Sequence, residues 1–101
     1  MRAMEAARSV LPGLLARFPA VRAAYLYGSV LRQGAFSNSS DLDVGVTGVD
    51  AATCLEIWRE AETLIREWPL DVRPLDDSGF GSRIREKGEL IYERATEGAE
   101  V

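Results

Sequence analysis

The stretch YLYGSVLRQGAFSNSSDLDVGV, residues 25–46, decides how this chain is read. One apolar run meets Gly28-Ser29, and a second carries Asp41 at its edge and Asp43 inside it. Side chains alternate faces along a strand, so Asp41 and Asp43 point the same way. Leu42, Val44 and Val46 point the other way and can pack on a core. Gly45 continues the carboxylate face with no side chain, which leaves space for a ligand. Two neighbouring carboxylates repel, and at least one has a raised pKa unless a cation neutralises them. Mg2+ suits this task, because it takes one or two carboxylates and completes its shell with water and substrate phosphates.

Working outward, Asp71 supplies a third carboxylate in the middle of a short strand over residues 70–73. A core-facing strand position is ordinarily apolar, and a charge there is costly unless paired or metal-bound. Asp76 and Asp77 compete for the role, but they lie in DDSGFGSR, a Gly-containing loop where acidic residues need no explanation. Gly28, at a strand end, lets the backbone approach a ligand, and amides at a following helix N-terminus favour anions. The Ser29 hydroxyl adds a hydrogen bond, and Arg32, one helical turn after Gly28, offers a planar fork of donors to phosphate oxygens. No lysine follows in the GxxxxGK(S/T) pattern, so this is not that phosphate loop. Each piece alone is a turn, a solvated loop edge or a surface arginine. In this order they point to a nucleoside triphosphate gripped through metal ions.

The rest of the chain supplies the scaffold. Met4, Ala7, Leu11, Leu14, Leu15 and Phe18 fall at helical spacing, with a kink or late start expected at Pro12-Gly13 and an end at Pro19. Residues 21–27 and 42–46 read as strands. Asp50 is an N-cap candidate for a helix that places Cys54, Ile57, Trp58, Ala61, Leu64, Ile65 and Trp68 on one face and stops at Pro69. The spacing makes Cys54, Trp58 and Trp68 core residues rather than redox or stacking groups. A helical turn at 83–87 and a last strand at 89–92 follow, and the tail from about residue 96 to 101 is expected to fray. Helices alternating with strands predict an α/β (α+β) fold, a small mixed sheet with helices packed on it, in one domain over residues 1–101.

Composition narrows the function. The net charge of −4 argues against a free-standing nucleic-acid binder, which needs a basic groove, so no direct nucleic-acid binding is expected. With one cysteine and no histidine, an internal disulfide is impossible and a zinc site has no basis. No apolar run approaches the ~20 residues of a membrane span, and MRAMEAARSV lacks the features of a secretory signal, so a cytoplasmic location is expected.

These residues resemble the minimal nucleotidyltransferase (MNT) family of the DNA polymerase beta superfamily. The motifs that carry the resemblance are YLYGSVLR, SDLDVGV, PLDVRPL and the closing GELIYERA, and it extends from about residue 10 to 95. It implies a nucleotidyltransferase fold and Mg2+-dependent transfer of a nucleoside monophosphate, AMP from ATP, to a hydroxyl acceptor. Asp41 and Asp43 would then hold two metal ions, while Asp71 would bind the catalytic metal and activate the acceptor hydroxyl. Gly28, Ser29, Arg32 and Ser40 would bind the nucleotide. Here the arginine and glycine are separated, as Arg32-Gln33-Gly34, which makes the loop one residue longer than the family pattern. The resemblance also implies a HEPN-domain partner in a toxin–antitoxin pair, with this chain as the antitoxin that adenylylates its partner. The alternative is a non-catalytic antitoxin that binds nucleotide and neutralises its partner by occlusion. A protein acceptor is expected to dock through exposed apolar residues, with Phe36 and Phe80 as loop candidates.

Overall fold

The structure, a computed structural model, describes residues 2–31, 41–76 and 78–94, with the backbone alone at Ser29. The chain runs through α1 (Arg2–Leu15), β1 (Ala23–Tyr27), a 3-10 turn (Gly28–Leu31), β2 (Leu42–Thr47), α2 (Ala51–Leu64), β3 (Leu70–Leu75), α3 (Gly79–Lys87) and β4 (Glu89–Glu93). The four strands form one mixed sheet in the order β3-β2-β1-β4. β1 runs antiparallel to both β2 and β4, and β2 runs parallel to β3. Parallel neighbours need a long crossover, and α2 provides it. The mixed α/β fold expected from the sequence is borne out.

Alternation assigns the two faces of the sheet. Leu26, Val44 and Val72 lie side by side across β1, β2 and β3 and are buried. Ala3, Ala7, Leu11, Leu14 and Leu15 of α1, and Cys54, Ile57 and Ala61 of α2, pack with them into the main core. Burying a single leucine or valine contributes roughly 1.5–3 kcal/mol, so this face fixes how the strands lie. Asp50 caps α2 as expected, its Oδ1 accepting from the Thr53 amide at 2.9 Å. Cys54 is buried and Trp58 packs partly buried against the core, as their helical spacing requires, while Trp68 reaches the same core from outside the helix. The other face receives α3, whose Ile84 is buried and whose Phe80 ring meets Tyr27 edge-on, with centroids 5.8 Å apart.

Several local expectations are corrected. α1 starts at Arg2 and passes through Pro12 instead of beginning after it. A proline here removes one bond to the carbonyl a turn earlier, at a cost of about 3 kcal/mol, which the burial of Leu11, Leu14 and Leu15 offsets. The helix ends at Leu15, well before Pro19. Tight bonds from the Arg17 amide to Leu14 and from the Phe18 amide to Leu15 close it. Arg94 then clasps the exit, donating to the carbonyls of Ala16, Phe18 and Val21. α2 stops at Leu64, leaving that side chain 53% exposed and Trp68 beyond the helix. α3 begins at Gly79 behind the Ser78 cap, so most of the expected loop is helical. The tail from residue 95 lies outside the described residues.

Gly45 is the correction that matters most for function. Its open side holds no ligand space, because Leu75 fills it: a Cβ there would sit 2.7 Å from Leu75 Cδ1 and 2.8 Å from Cγ. Gly45→Ala is therefore expected to lower stability by ~1–3 kcal/mol in urea unfolding, through overpacking. The same substitution made on a Leu75→Ala background should cost little, and an equal loss in both backgrounds would contradict the packing assignment.

Candidate active site

The same register that buries Leu26, Val44 and Val72 turns their neighbours to the opposite face. Tyr27 pairs with Asp43, and Asp43 pairs with Asp71, so the three form one row across β1, β2 and β3. Asp41 stands just before β2, exposed, on the Asp43 side. Asp41, Asp43 and Asp71 each bring a carboxylate oxygen within 4.8 Å of the others. The sequence expected these three residues to converge, and the structure brings them together. Asp76 takes no part: its Oδ1 accepts from the Ser78 amide at 2.9 Å ahead of α3, a turn-forming role. Asp77 lies outside the described residues.

Gly28 closes one end of the row. Its φ of +80° lies in the left-handed region, which favours glycine. A side chain there would also collide with Asp43 Oδ2, so the backbone turns directly over the carboxylate. Val30, buried at 2% exposure, anchors the 3-10 turn to the core. Ser29 lies in that turn. Arg32 and Ser40, the remaining nucleotide-binding candidates, lie outside the described residues, as does Phe36. A cleft of about 560 Å3 opens between the turn and α3, with Tyr27, Leu31 and Ile84 as walls and Arg83 and Lys87 supplying positive charge.

The electrostatics follow from the crowding. The Asp43 carboxyl is held above the usual carboxylate range, first by burial and then by the charges of Asp71 and Asp41, with Arg73 pulling the other way. The Tyr27 hydroxyl is pushed up to about 12 by burial and by Asp43. Arg73 is a participant that the sequence reading passed over. Two residues beyond Asp71 on the same strand, it faces the same side, and its Nε lies 3.2 Å from both Asp71 oxygens and its Nη2 3.0 Å from Oδ2. The i, i+2 spacing in LDVR was the available signal.

Three carboxylates against one guanidinium leave the cluster net negative. An all-oxygen set from half-buried and exposed acidic groups suits a hard divalent cation. Asp41, Asp43 and Asp71 are thus the residues that fit Mg2+, and Gly28 brings the backbone directly against Asp43.

Comparisons with known proteins give the family and the fold. The family model described as "Polymerase beta, Nucleotidyltransferase" matches residues 11–97. No curated protein matches the chain. Among solved structures, a mutant of the toxin-antitoxin MntA-HpeT superposes with a TM-score of 0.67 at 17% identity, over 92% of this chain and 77% of that one. A toxin-antitoxin structure with AMP-PNP gives 0.67 at 19% identity, over 92% and 77% of the two chains. The toxin-antitoxin MntA-HepT gives 0.61 at 17% identity, over 86% and 70%. At these identities the likeness is one of fold.

The raised Asp43 carboxyl sets a pH-dependent outcome. A group whose folded pKa exceeds its unfolded value favours the folded state when protonated, and that stability is lost as pH rises through the folded pKa. Asp43→Asn should therefore raise the metal-free melting temperature at pH 7, with the gain fading as pH falls through the raised carboxyl's range and gone below the ordinary value of 3.8. Thermal melts across this range check it, and a variant less stable than the parent at pH 7 would contradict the crowding.

Proposed function

The chain belongs to the polymerase beta nucleotidyltransferase family, and from that premise we propose that it transfers AMP from ATP to a hydroxyl on a HEPN-type partner protein, as the antitoxin of a cytoplasmic toxin–antitoxin pair. The observation that carries the proposal is the row of Asp43 and Asp71, with Asp41 beside it, under the side-chain-free turn at Gly28. Two Mg2+ ions bound there would stabilise the attacking and leaving oxygens of an in-line displacement at phosphorus.

The protein's own residues divide the remaining work. Asp41 and Asp43 hold the nucleotide side of the site, next to the Gly28 turn. The backbone at Gly28 lies against the triphosphate, with Ser29, Arg32 and Ser40 as its further contacts. Asp71, at the opposite end of the row from Tyr27, accepts the proton of the attacking hydroxyl at a carboxylate oxygen as that hydroxyl's oxygen bonds to the α-phosphorus of ATP and pyrophosphate leaves. The cleft between the turn and α3 receives the nucleoside, its apolar walls taking the base while Arg83 and Lys87 favour the phosphates.

A protein acceptor fits this site better than RNA, which needs a basic track that a net charge of −4 does not provide. A docking protein covers the carboxylates and excludes water as it orients its hydroxyl. Phe80, which the structure places on α3 rather than in a loop, is 51% exposed beside Tyr27 and offers an apolar contact at the rim. The toxin–antitoxin structures of like fold, one of them with AMP-PNP, support both the partner class and the nucleotide.

Incubation with labelled ATP, Mg2+ and the partner, followed by mass spectrometry, should find the mass of AMP added to the partner. Neutralisation of the partner without label would instead support occlusion, and label on tRNA would overturn the protein-acceptor proposal. Asp71→Asn should still bind ATP-Mg2+ in calorimetry but lose transfer by ~100-fold or more, as expected for loss of a general base. Loss of ATP binding in that variant would contradict the division of roles between Asp71 and the Asp41–Asp43 pair.

A further inference from the structure

We propose that Arg73 is an internal counter-cation that occupies Asp71 until a divalent metal displaces it, so that metal loading at Asp71 is an exchange rather than a simple addition. This rests on the metal-dependent function proposed above and goes further, giving the site a built-in competitor. The geometry is specific. Nε of Arg73 lies 3.2 Å from both Asp71 oxygens and Nη2 lies 3.0 Å from Oδ2. Both oxygens that a cation would use are thus already engaged.

The two partners differ in freedom. The Asp71 side chain is tucked in at 18% exposure, whereas that of Arg73 is 58% exposed. Asp71 is consequently the fixed member, and Arg73 is the arm that can swing into solvent. A guanidinium stays charged and cannot ligate a metal, so it either shields Asp71 or leaves. Its position in the sheet favours this exchange. Arg73 pairs with Gly45 on β2, so its cross-strand partner has no side chain to hold it. While in place, it offsets part of the repulsion among Asp41, Asp43 and Asp71, which lie within 4.8 Å of one another.

The competition is testable without turnover. Mn2+ binding would be followed by electron paramagnetic resonance for the parent protein, Arg73→Gln, Asp71→Asn and the double variant. Arg73→Gln should bind Mn2+ about three- to tenfold tighter, the range expected from releasing a largely solvent-exposed ion pair and removing a nearby positive charge. On the Asp71→Asn background the same substitution should change affinity by less than about twofold, because the competition acts through that carboxylate. Unchanged or weaker binding in Arg73→Gln overturns the proposal. So does a gain that persists in full without Asp71, which would mark a general charge effect. If Arg73→Gln does not fold, Arg73→Lys serves, since lysine keeps the charge but loses the fork. It should bind Mn2+ more tightly than the parent, and equal or weaker binding again overturns the exchange. A parent protein with no Mn2+ binding at all would bring down the functional proposal and this inference with it. Binding in the parent with no gain in the variants would remove only the inference.

Discussion

A strand with one buried face cannot slip by a single residue, because the slip would carry its whole apolar set into solvent. In β2 that constraint acts from both sides at once. Leu42, Val44 and Val46 are locked into the core, while β1 and β3 fix Asp43 between Tyr27 and Asp71. The candidate chemistry is therefore a by-product of core packing: whatever holds Val44 beside Leu26 and Val72 also holds Asp43 beside Asp71. The Leu42 amide, bonded to the Pro69 carbonyl at 2.8 Å, extends this lock to the end of the strand where Asp41 stands.

The row bears an electrostatic cost. Burial and the charges of Asp71 and Asp41 raise the Asp43 carboxyl, and burial with Asp43 and Asp71, opposed by Arg73, raises the Tyr27 hydroxyl. Among the described residues no charged side chain is fully buried, so the cluster stays within reach of water and of an incoming cation. Arg73 eases the strain on one side through Asp71. Gly28 keeps the other side open at the one point where a side chain would strike Asp43.

Much of this was legible in the sequence, for physical reasons. Period-two alternation identified the strands and the shared face of Asp41 and Asp43, and the mid-strand Asp71 stood out as a charge where an apolar residue is usual. What escaped depended on tertiary neighbours. The bond between Arg73 and Asp71 is local, but an arginine on a strand reads as solvent-facing until the register of β2 and β3 shows what lies beside it. Gly45 seemed to open space for a ligand because the sequence does not reveal that Leu75 folds over it. α3 was obscured by Gly79 and Gly81, poor helix formers. Gly81 is buried, and a side chain there would collide with the Asp76 carbonyl, so close approach rather than helix propensity selects the residue. Pro12 misled in the opposite direction, since core burial of α1 outweighs the bond it removes.

Family membership, fold and carboxylate geometry converge on nucleotide chemistry, and no helix among the described residues is long and apolar enough to cross a membrane. The most direct test of the site is a crystal structure with Mn2+ and a non-hydrolysable ATP analogue, read by anomalous scattering at the manganese edge. Asp41, Asp43 and Asp71 as ligands require anomalous peaks within direct coordination distance of their carboxylates, with the phosphates against the Gly28 turn. Triphosphate bound elsewhere, or a cluster without manganese at saturating metal and nucleotide, would contradict the assignment.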